Sequence, residues 1–505
     1  MSNSNDSMMF SRRSFVKTGA AAVAGFTIAP SVVLGKTYGH VPPSDQINIA
    51  GIGFGNQGAG DLQNIADPDA PVKRNGPGGM QWATNQPYAG IRIQRPRRAS
   101  DSIVQMGDAG RQPIHHANIY ALCDVDTEYG APIFNAYYKA KRYTDFRELI
   151  EKEKDVDGYL IATPDHTHAI IAATAMKAGK AVFVEKPMAK TIKEVRYLAE
   201  LAKKTGVVTQ MGNQGHNTEG TYQTVEWIRN GVIGNVSEVH MWSNRPMWKQ
   251  GYFDRLPAQT IPQTLDYDLW LGPAPEKPYN QASLHFAWRG LWDYGTGAMG
   301  DMGAHTFDAP IWALGLGMPD KIMATTTPYN NEYLPQAEAV KYHFPAREVD
   351  SLDGKKKIKM PECVVTWTDG GIKPYRPFEL ENGRALRECL YVGDKGMMMH
   401  GTHGASPELV PNRPNFKEPA KTITRPKNIY VDWVEAIKEG RKAANDFEIS
   451  AKLTEIMLLT NIAVAAQNTN ITLEYDAANM RITNCEEANA YFHYEYRKGW
   501  ELPAI

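Results

Sequence analysis

A short strand that leads straight into a glycine-rich turn is the feature that most constrains this fold. Residues 46–50 (QINIA) read as a strand, and residues 51–58 (GIGFGNQG) follow at once, before a stretch of helical pattern. Such a turn needs glycine because the backbone bends sharply and its N–H groups must stay open to a phosphate at the helix N-terminus. The segment therefore predicts the first strand–helix unit of a dinucleotide-binding domain.

Two glycine registers fit this turn. In one, Gly51 and Gly53 are the first two glycines and Asn56 stands in the third place. In the other, Gly53, Gly55 and Gly58 satisfy the whole pattern. The turn residues expected to contact the cofactor are Gly51, Gly53, Phe54, Gly55, Asn56 and Gln57.

Strands and helices then alternate at short intervals, which predicts an α/β fold with a doubly wound parallel sheet. Beyond about residue 235, strand-like runs are separated by long loops rich in Trp, Pro and Gly. These favour a second, α+β domain with a mostly antiparallel open sheet. We predict a leader at 1–40, a Rossmann domain at 41–187 with a surface insertion at about 67–115, and a second domain with terminal helices at 188–505.

The N-terminal sequence predicts export. Residues 11–17 (SRRSFVK) place two arginines before the weakly apolar run 18–34, a pattern typical of a twin-arginine signal. A tail that holds two arginines by chance is the alternative. We expect recognition by the twin-arginine machinery, a periplasmic or otherwise exported product, and no stable membrane span after processing.

Charge and cysteine content exclude several classes of partner. The net charge of −1 gives no electrostatic case for binding nucleic acid or an anionic membrane. The four cysteines show neither CxxC spacing nor a disulfide framework, and we expect them to be small buried side chains. They are Cys123, Cys363, Cys389 and Cys485.

The acid that would bind the ribose is Asp124, at the end of the predicted strand 118–124. It lies much further from the turn than the usual spacing of about 20 residues, and the insertion explains the excess. Its carboxylate would accept hydrogen bonds from the ribose hydroxyls and repel a 2′-phosphate, which favours NAD over NADP. Asp126 is a rival, and a simple turn-capping role for Asp124 is the alternative.

Three further segments carry residues capable of chemistry. Lys186 follows the strand of residues 181–185, and Asp301 and His305 stand four apart, so they share one face of a helix. A lysine beside a bound nicotinamide, or a histidine titrating near neutrality, can accept a substrate proton. A solvated lysine and a helix-surface ion pair are the alternatives.

The segment TPDHTHA (163–169) ends another predicted strand. Its acid and two histidines, Asp165, His166 and His168, raise the question of a metal, but helix capping is favoured and no metal is predicted. The remaining residues expected around the cofactor are Thr163, Pro164, His168, Glu185, Lys186 and Asn213.

Taken together, these motifs resemble the Gfo/Idh/MocA oxidoreductases. The resemblance rests on the glycine turn, TPDHTHA, the Glu185-Lys186-Pro187 motif and the block WDYGTGAMGDMGAH at 292–305. It implies an N-terminal Rossmann domain, a C-terminal domain whose open sheet faces the nicotinamide, and a homo-oligomer. Lys186, Asp301 and His305 match the family's active-site Lys, Asp and His. Asn56, the insertion and the loop near 351–360 depart from the family pattern.

Aromatic and polar side chains in the second domain suggest a carbohydrate substrate, because aromatic faces stack on sugars and the family's substrates are mostly sugars and polyols. The residues predicted to contact it are Trp242, Arg245, Trp288, Arg289 and His216. For any one tryptophan, a place in the core is the alternative.

Three functions are compatible with these features. The first is NAD-dependent oxidation of a sugar hydroxyl, with the proton passing to Lys186 or His305. The second is glycoside cleavage with a hydride only borrowed by NAD, and the Glu185-Lys186-Pro187 motif favours the first over it. The third is a non-catalytic sugar-binding protein. An exported enzyme should also hold NAD tightly and recycle it in place, because free NAD is not expected outside the cytoplasm.

Overall fold

A six-stranded parallel sheet carries the glycine turn in the structure, a computed structural model that describes residues 46–70 and 117–505. Its strands are β1 (Ile47–Ile52), β2 (Ala117–Cys123), β3 (Lys141–Tyr143), β4 (Gly158–Ile161), β5 (Ala181–Glu185) and β6 (Thr209–Gly212). They lie in the order β3-β2-β1-β4-β5-β6, with the change of direction between β1 and β4. Ligands of such sheets bind at that point, beyond the carboxyl ends of the strands.

Helices cover this first sheet. They are α1 (Gln57–Ile65), α2 (Ala131–Ala136), α3 (Phe146–Lys152), α4 (Asp165–Lys177) and α5 (Ile192–Thr205). Helix α2 ends at Ala136, because the chain then turns to supply the edge strand β3.

The second sheet has nine strands. Its order is β15-β14-β13-β7-β12-β9-β8-β16-β17, in which only the pair β7 and β12 is parallel. The strands are β7 (Val236–Trp242), β8 (Lys321–Thr326), β9 (Glu338–Phe344), β12 (Cys363–Thr368), β13 (Cys389–Gly393), β14 (Gly396–His400), β15 (Glu408–Val410), β16 (Leu473–Asp476) and β17 (Arg481–Ile482). A separate hairpin consists of β10 (Arg347–Asp350) and β11 (Lys357–Met360).

The other helices are α6 (Glu219–Arg229), α7 (Tyr267–Leu271), α8 (Gly297–Leu314), α9 (Ile429–Glu439) and α10 (Phe447–Ala465). The α/β fold with a parallel sheet and a mostly antiparallel second sheet is confirmed.

The boundary predicted at 187 is too early. Strand β6 pairs in parallel with β5 and completes the first sheet, so the strand–helix–strand pattern continues to Gly212. The terminal helix α9 also returns to this sheet, where Tyr430 and Trp433 pack on Phe183 with ring centroids 5.5 and 5.6 Å apart. The two terminal helices therefore pack in different cores: α9 packs with the first sheet, and α10 packs in the core that contains the second sheet.

The predicted leader and nearly all of the predicted insertion lie outside the described residues. Within residues 46–70 and 117–505, no helix combines the length and apolarity needed to cross a membrane. All four cysteines are buried free thiols.

Candidate active site

A cleft opens where the strands of the first sheet end, between the glycine turn and helix α8. One wall consists of the turn, the ends of β2, β4 and β5, and the first turn of α4; the other consists of α8 and the segments around 245, 285–289 and 403. The cleft brings together residues from both parts of the chain, as an enzyme that binds a dinucleotide and a second ligand requires.

Steric contacts in the turn identify the glycine register. Gly53 has φ +75°, and a Cβ on it would lie 2.7 Å from Thr163 Cγ2. A Cβ on Gly58 would lie 2.2 Å from the carbonyl oxygen of Gly53, so only glycine lets helix α1 approach the turn. A Cβ on Gly55 would lie 1.9 Å from the ring of Tyr129. The register is therefore Gly53, Gly55 and Gly58.

Gly51 has a different role from the one predicted. It lies within β1, it is buried, and a Cβ on it would lie 2.9 Å from Leu62 Cδ2. Gly51 allows α1 to pack on the strand and does not line the cleft. Asn56, which the first register placed third, lines the cleft at the start of α1 together with Phe54 and Gln57.

Backbone N–H groups at this turn are available to a ligand. Helix α1 begins after Asn56 without a side-chain cap, so its first amides have no partner from that side chain. At the end of β2, Asp124 accepts hydrogen bonds from the N–H of Phe54 at 3.1 Å and of Asp126 at 3.0 Å. Burial raises the pKa of Asp124 to about 6, although those two donors oppose the shift. Asp124 thus shapes the turn and still faces the cleft.

Thr163 and Pro164 line the cleft after the end of β4, and His168 lines it from the first turn of α4. The ring of His168 is buried between two carbonyl oxygens, those of Pro187 and Thr163, each 2.8 Å from a ring nitrogen. Burial lowers the pKa of His168 to about 4. His168 therefore joins the ends of β4 and β5, and its nitrogens are not free for a cofactor.

Glu185 is almost fully buried beneath the cleft. Its carboxylate accepts from Gln214 Nε2 at 3.0 Å and from the N–H of Lys186 at 3.2 Å. Burial and the neighbouring Asp61 raise the pKa of Glu185 well above its usual range. Asp61 in turn accepts from the hydroxyl of Tyr430 at 2.7 Å. Glu185 thus lines the cleft, and its contact is with the backbone of Lys186, which it holds in place.

Lys186 and Asp301 meet across the cleft from opposite domains. Lys186 Nζ lies 2.6 Å from the carbonyl oxygen of Asp301 and 3.1 Å from its Oδ1. Two arginines approach the same carboxylate, Arg289 Nε at 3.3 Å from Oδ1 and Arg245 Nε at 3.5 Å from Oδ2. Burial alone would raise the pKa of Asp301, but the three cations outweigh it and lower the pKa to about 2.

His305 lies one turn further along α8 and is held by an amide. Its Nδ1 is 3.0 Å from Asn213 Oδ1, while Asn213 Nδ2 donates to the carbonyl oxygen of Ala304 at 3.0 Å. The second contact fixes the orientation of the amide, so Asn213 Oδ1 must accept from a protonated Nδ1. Neutral His305 then carries its lone pair on Nε2.

The environment keeps His305 uncharged. Burial is the first cause, and the nearby His403, Lys186 and Arg245 add to it, so the pKa of His305 is well below its usual value. Asp301 thus pairs with Lys186, and the partner of His305 is Asn213. Asn213, which we expected around the cofactor, does not line the cleft.

Three of the five predicted substrate residues lie in the cleft: Arg245, Trp288 and Arg289. Trp242 and His216 do not. Trp242 donates from Nε1 to the carbonyl oxygen of Arg387, 2.9 Å away at the end of β7. His216 is buried against Asp308 at 2.9 Å and stacks on Trp312, so it supports α8 from behind.

Several ring side chains that line the cleft were not predicted from the sequence, among them Tyr129, His285 and His403. The ring of Tyr129 stacks on His285 at a centroid distance of 3.8 Å. His403 packs against His305 at 4.0 Å. Each comes from a loop without periodic pattern, and only the fold brings them to the site.

The acid and histidine of the TPDHTHA segment have structural partners. Asp165 Oδ2 accepts from the hydroxyl of Thr296 at 2.6 Å, and His166 Nε2 lies 3.0 Å from the carbonyl oxygen of Trp270. Within the described residues, no group of three or more His, Cys, Asp or Glu side chains could hold a metal ion.

The donor set of the cleft fits a nicotinamide dinucleotide. The open amides of α1 and the turn suit a pyrophosphate, Asp124 suits a ribose, and the polar cluster at Lys186 lies along the same cleft. The cleft thus holds the groups that a two-domain, nicotinamide-binding oxidoreductase would need.

Two protein-family models match regions of the chain. The model described as the oxidoreductase family's NAD-binding Rossmann fold matches residues 104–213. The model of the same family's C-terminal alpha/beta domain matches residues 224–357. Over these two regions the chain is therefore similar to the Gfo/Idh/MocA oxidoreductases.

Curated relatives match over only part of this chain. Inositol 2-dehydrogenase from Salmonella typhimurium is 32% identical over 124 residues, 24% of this chain and 37% of the relative. Glycosyl hydrolase family 109 protein 2 from Shewanella sp. (strain MR-4) is 29% identical over 171 residues, 30% of this chain and 37% of the relative. The matched region thus spans little more than a third of either relative.

Solved structures resemble the chain over most of its length. The WlbA dehydrogenase from Chromobacterium violaceum, in complex with NADH and UDP-GlcNAcA, has a TM-score of 0.52 at 14% identity, covering 87% of this chain and 98% of that one. An NAD-binding protein from Listeria innocua has a TM-score of 0.51 at 15% identity, covering 85% and 97%. At such identities the similarity establishes the fold alone.

Proposed function

We propose that this protein is an NAD-dependent oxidoreductase acting on the CH–OH group of a sugar or glycoside. The observation that carries the proposal is the convergence of Lys186, Asp301 and His305 in the same cleft that the dinucleotide turn lines. Relatives named as inositol dehydrogenases support a polyhydroxylated substrate.

The geometry assigns separate tasks to the two candidate bases. His305 is neutral and its Nε2 is unprotonated, so His305 accepts the proton of the substrate hydroxyl. Lys186 has three N–H donors, of which two are directed at Asp301, and the third is left for the substrate oxygen. When bound, NAD accepts the hydride from the same carbon. Asp301 holds the ammonium of Lys186 in place.

Aromatic side chains support a carbohydrate in the outer part of the cleft. Arg289 lies over the ring of Trp288 at 4.3 Å and over that of Phe286 at 4.8 Å, which fixes a planar cation beside two aromatic faces. An apolar sugar face can stack there, and the guanidinium can bind its hydroxyls. Arg289 and Arg245 also compensate the charge of Asp301.

NAD is proposed in preference to NADP because of Asp124. A carboxylate that already accepts two backbone hydrogen bonds has lone pairs left for ribose hydroxyls and repels a 2′-phosphate. Binding constants for NAD and NADP, measured by tryptophan fluorescence, test this. A preference for NADP would contradict the role given to Asp124.

Export with a retained cofactor is also part of the proposal. The twin-arginine pattern at Arg12 and Arg13 supports export, and a strap over the nucleotide turn supports retention. In the strap, His285 stacks on Tyr129 and lies 3.3 Å from Asp126 Oδ2, and Tyr129 covers Gly55. A bound dinucleotide would have to displace these rings to leave.

Native purification followed by mass spectrometry tests retention. We expect NAD to copurify and to dissociate faster from the His285→Ala variant than from wild type. His240→Ala, on β7 and outside the cleft, is the matched control. Rapid loss of NAD from wild type on dialysis would contradict retention.

Redox-neutral cleavage of a glycoside is the second candidate, because relatives named as glycosyl hydrolases match as extensively as the dehydrogenases. Incubation of the holoprotein with glycosides separates the two. Lasting nicotinamide reduction supports the dehydrogenase, whereas bond cleavage without net NADH supports the hydrolase. We further propose a homo-oligomer, as the family resemblance implies, which analytical ultracentrifugation can test.

A further inference from the structure

His403 is a second histidine in the cleft that none of the roles above uses. It lies in the short helical turn Thr402–Gly404 that follows β14, and it lines the cleft beside Lys186, Asp301 and Arg245. Its ring packs against that of His305, with centroids 4.0 Å apart and planes inclined by 36°.

The backbone of His403 is in a conformation that non-glycine residues rarely adopt. Its φ is 63° and its ψ is 26°, in the left-handed region. Such strain persists only where the surroundings over-determine it, and it is concentrated at functional sites.

Close packing holds the strained loop. A Cβ on Gly215 would lie 2.9 Å from His403 Cα, and a Cβ on Gly220 would lie 2.0 Å from the carbonyl oxygen of Gly404. Thr218 Oγ1 also donates to the carbonyl oxygen of His403 at 2.9 Å. The loop is thus docked on α6 and the turn before it, and the histidine is directed into the cleft.

The ring nitrogens of His403 have no hydrogen-bond partner among the described residues. His168, His216 and His305 all have protein partners for a ring nitrogen, whereas His403 has none among the described residues. Burial is the main cause that lowers the pKa of His403 to about 4, so near neutral pH its ring offers one donor and one acceptor.

We propose that His403 hydrogen-bonds the hydroxyl next to the one that is oxidised, so that the enzyme selects vicinal diols. Sugars and cyclic polyols carry hydroxyls on adjacent carbons. The ring of His403 packs against that of His305. When the reacting hydroxyl of such a substrate faces His305, the hydroxyl on the adjacent carbon therefore faces His403. This inference rests on the proposed function and specifies its substrate class.

Substitutions at position 403 separate substrate contact from structural support. His403→Gly removes the imidazole and relieves the left-handed backbone, so we expect a melting temperature at or above that of wild type and unchanged NAD affinity. We expect kcat/KM for a vicinal diol to fall at least about tenfold, the effect of losing one hydrogen bond of about 1.4 kcal/mol. His403→Asn tolerates this conformation and keeps a hydrogen-bonding group, so it should restore part of the activity.

A deoxy analogue gives the sharper readout. Wild type should prefer the diol over the analogue that lacks the neighbouring hydroxyl, and His403→Gly should abolish that preference. His240→Ala, remote from the cleft, should retain it. Unchanged discrimination in His403→Gly, or a loss of activity that follows a lower melting temperature, would overturn the inference.

Chemical modification distinguishes failure of this inference from failure of the proposed function. Diethyl pyrocarbonate should acylate His403, as read by peptide mass spectrometry, and myo-inositol or methyl glucoside should protect it in the NAD-loaded protein. Protection without oxidation of any sugar would reject the oxidoreductase and keep the His403 contact. Absence of protection by both diols, with turnover intact, would reject the contact and keep the oxidoreductase.

Discussion

Asn213 Oδ1 accepts a hydrogen bond from Nδ1 of His305, 3.0 Å away, and this one contact fixes which nitrogen of the histidine can act as a base. The amide is oriented by its own bond to the carbonyl oxygen of Ala304. A residue at the end of a strand in the first domain thus sets the tautomer of a helix residue in the second.

Removing the amide should impair turnover without loss of cofactor. In Asn213→Leu, Nδ1 of His305 has no acceptor, so the ring can rotate or adopt the other tautomer. We expect kcat to fall by about 10²-fold or more, the lower range for a misplaced general base, while NAD binding is unchanged. Stopped-flow reduction of bound NAD measures the step, and an unaltered rate would refute the role of Asn213.

The pH dependence should reflect the depressed pKa of His305. Burial, His403 and the nearby cations all lower it, and activity requires the neutral ring, so activity is lost only as pH falls through that lowered pKa. The acid limb of kcat/KM should therefore lie below pH 6.5, the usual value for histidine. Asn213→Asp places a carboxylate beside the ring and should move the limb upward by about one unit or more. A limb at or above 6.5 in wild type would contradict the assignment of His305 as the base.

Lys186→Ala should separate binding from chemistry. The glycine turn and Asp124 are unchanged in this variant, so NAD should remain bound, but the substrate oxygen loses its donor and Asp301 loses a partner. We expect turnover to fall by at least about 10²-fold. Lys193→Ala, an exposed lysine on α5, is the control. Near-normal rates in Lys186→Ala, measured with the same substrate, would exclude the proposed mechanism.

Two glycines of helix α1 provide a matched test of the turn register. In Gly58→Ala the new Cβ would meet the backbone oxygen of Gly53 at 2.2 Å, so we expect loss of NAD binding and a lower melting temperature. In Gly60→Ala nothing lies within 4 Å, and helix propensity should stabilise the fold by about 0.5–1 kcal/mol. Calorimetry and NAD titration measure both, and equal behaviour of the two variants would refute this register.

His216 should prove important for stability and not for substrate affinity. His216→Leu leaves Asp308 buried without its partner, which should lower the free energy of unfolding by about 3 kcal/mol while KM stays unchanged. Burial alone lowers the pKa of His216, but Asp308 outweighs it and the pKa is raised. The stabilisation is therefore complete below pH 6.5 and is lost as pH rises through the raised pKa. Urea denaturation at several pH values measures this stabilisation. A changed KM would contradict the structural role and indicate that His216 contacts the substrate.

The sequence by itself determined the local elements and the chemistry of the first domain. Glycines at fixed spacing after a strand define the turn, because no other residue can adopt its backbone or fit its contacts, and Asp124 follows from the end of the next strand. Lys186, Asp301 and His305 were found from motifs, since strand ends and helix faces are periodic features. The same periodicity identified both terminal helices.

Only the tertiary structure decided which side chains meet. Gly51 and Trp242 satisfied the sequence patterns yet lie outside the cleft, because strand and helix periodicity does not say what packs against a given face. His216 proved to be the partner of Asp308, and Asn213 the partner of His305, because each contact joins residues 92 positions apart in the chain. His403 reaches the site from an irregular loop held by tight glycine packing, a placement that depends on distant backbone contacts and leaves no local signal.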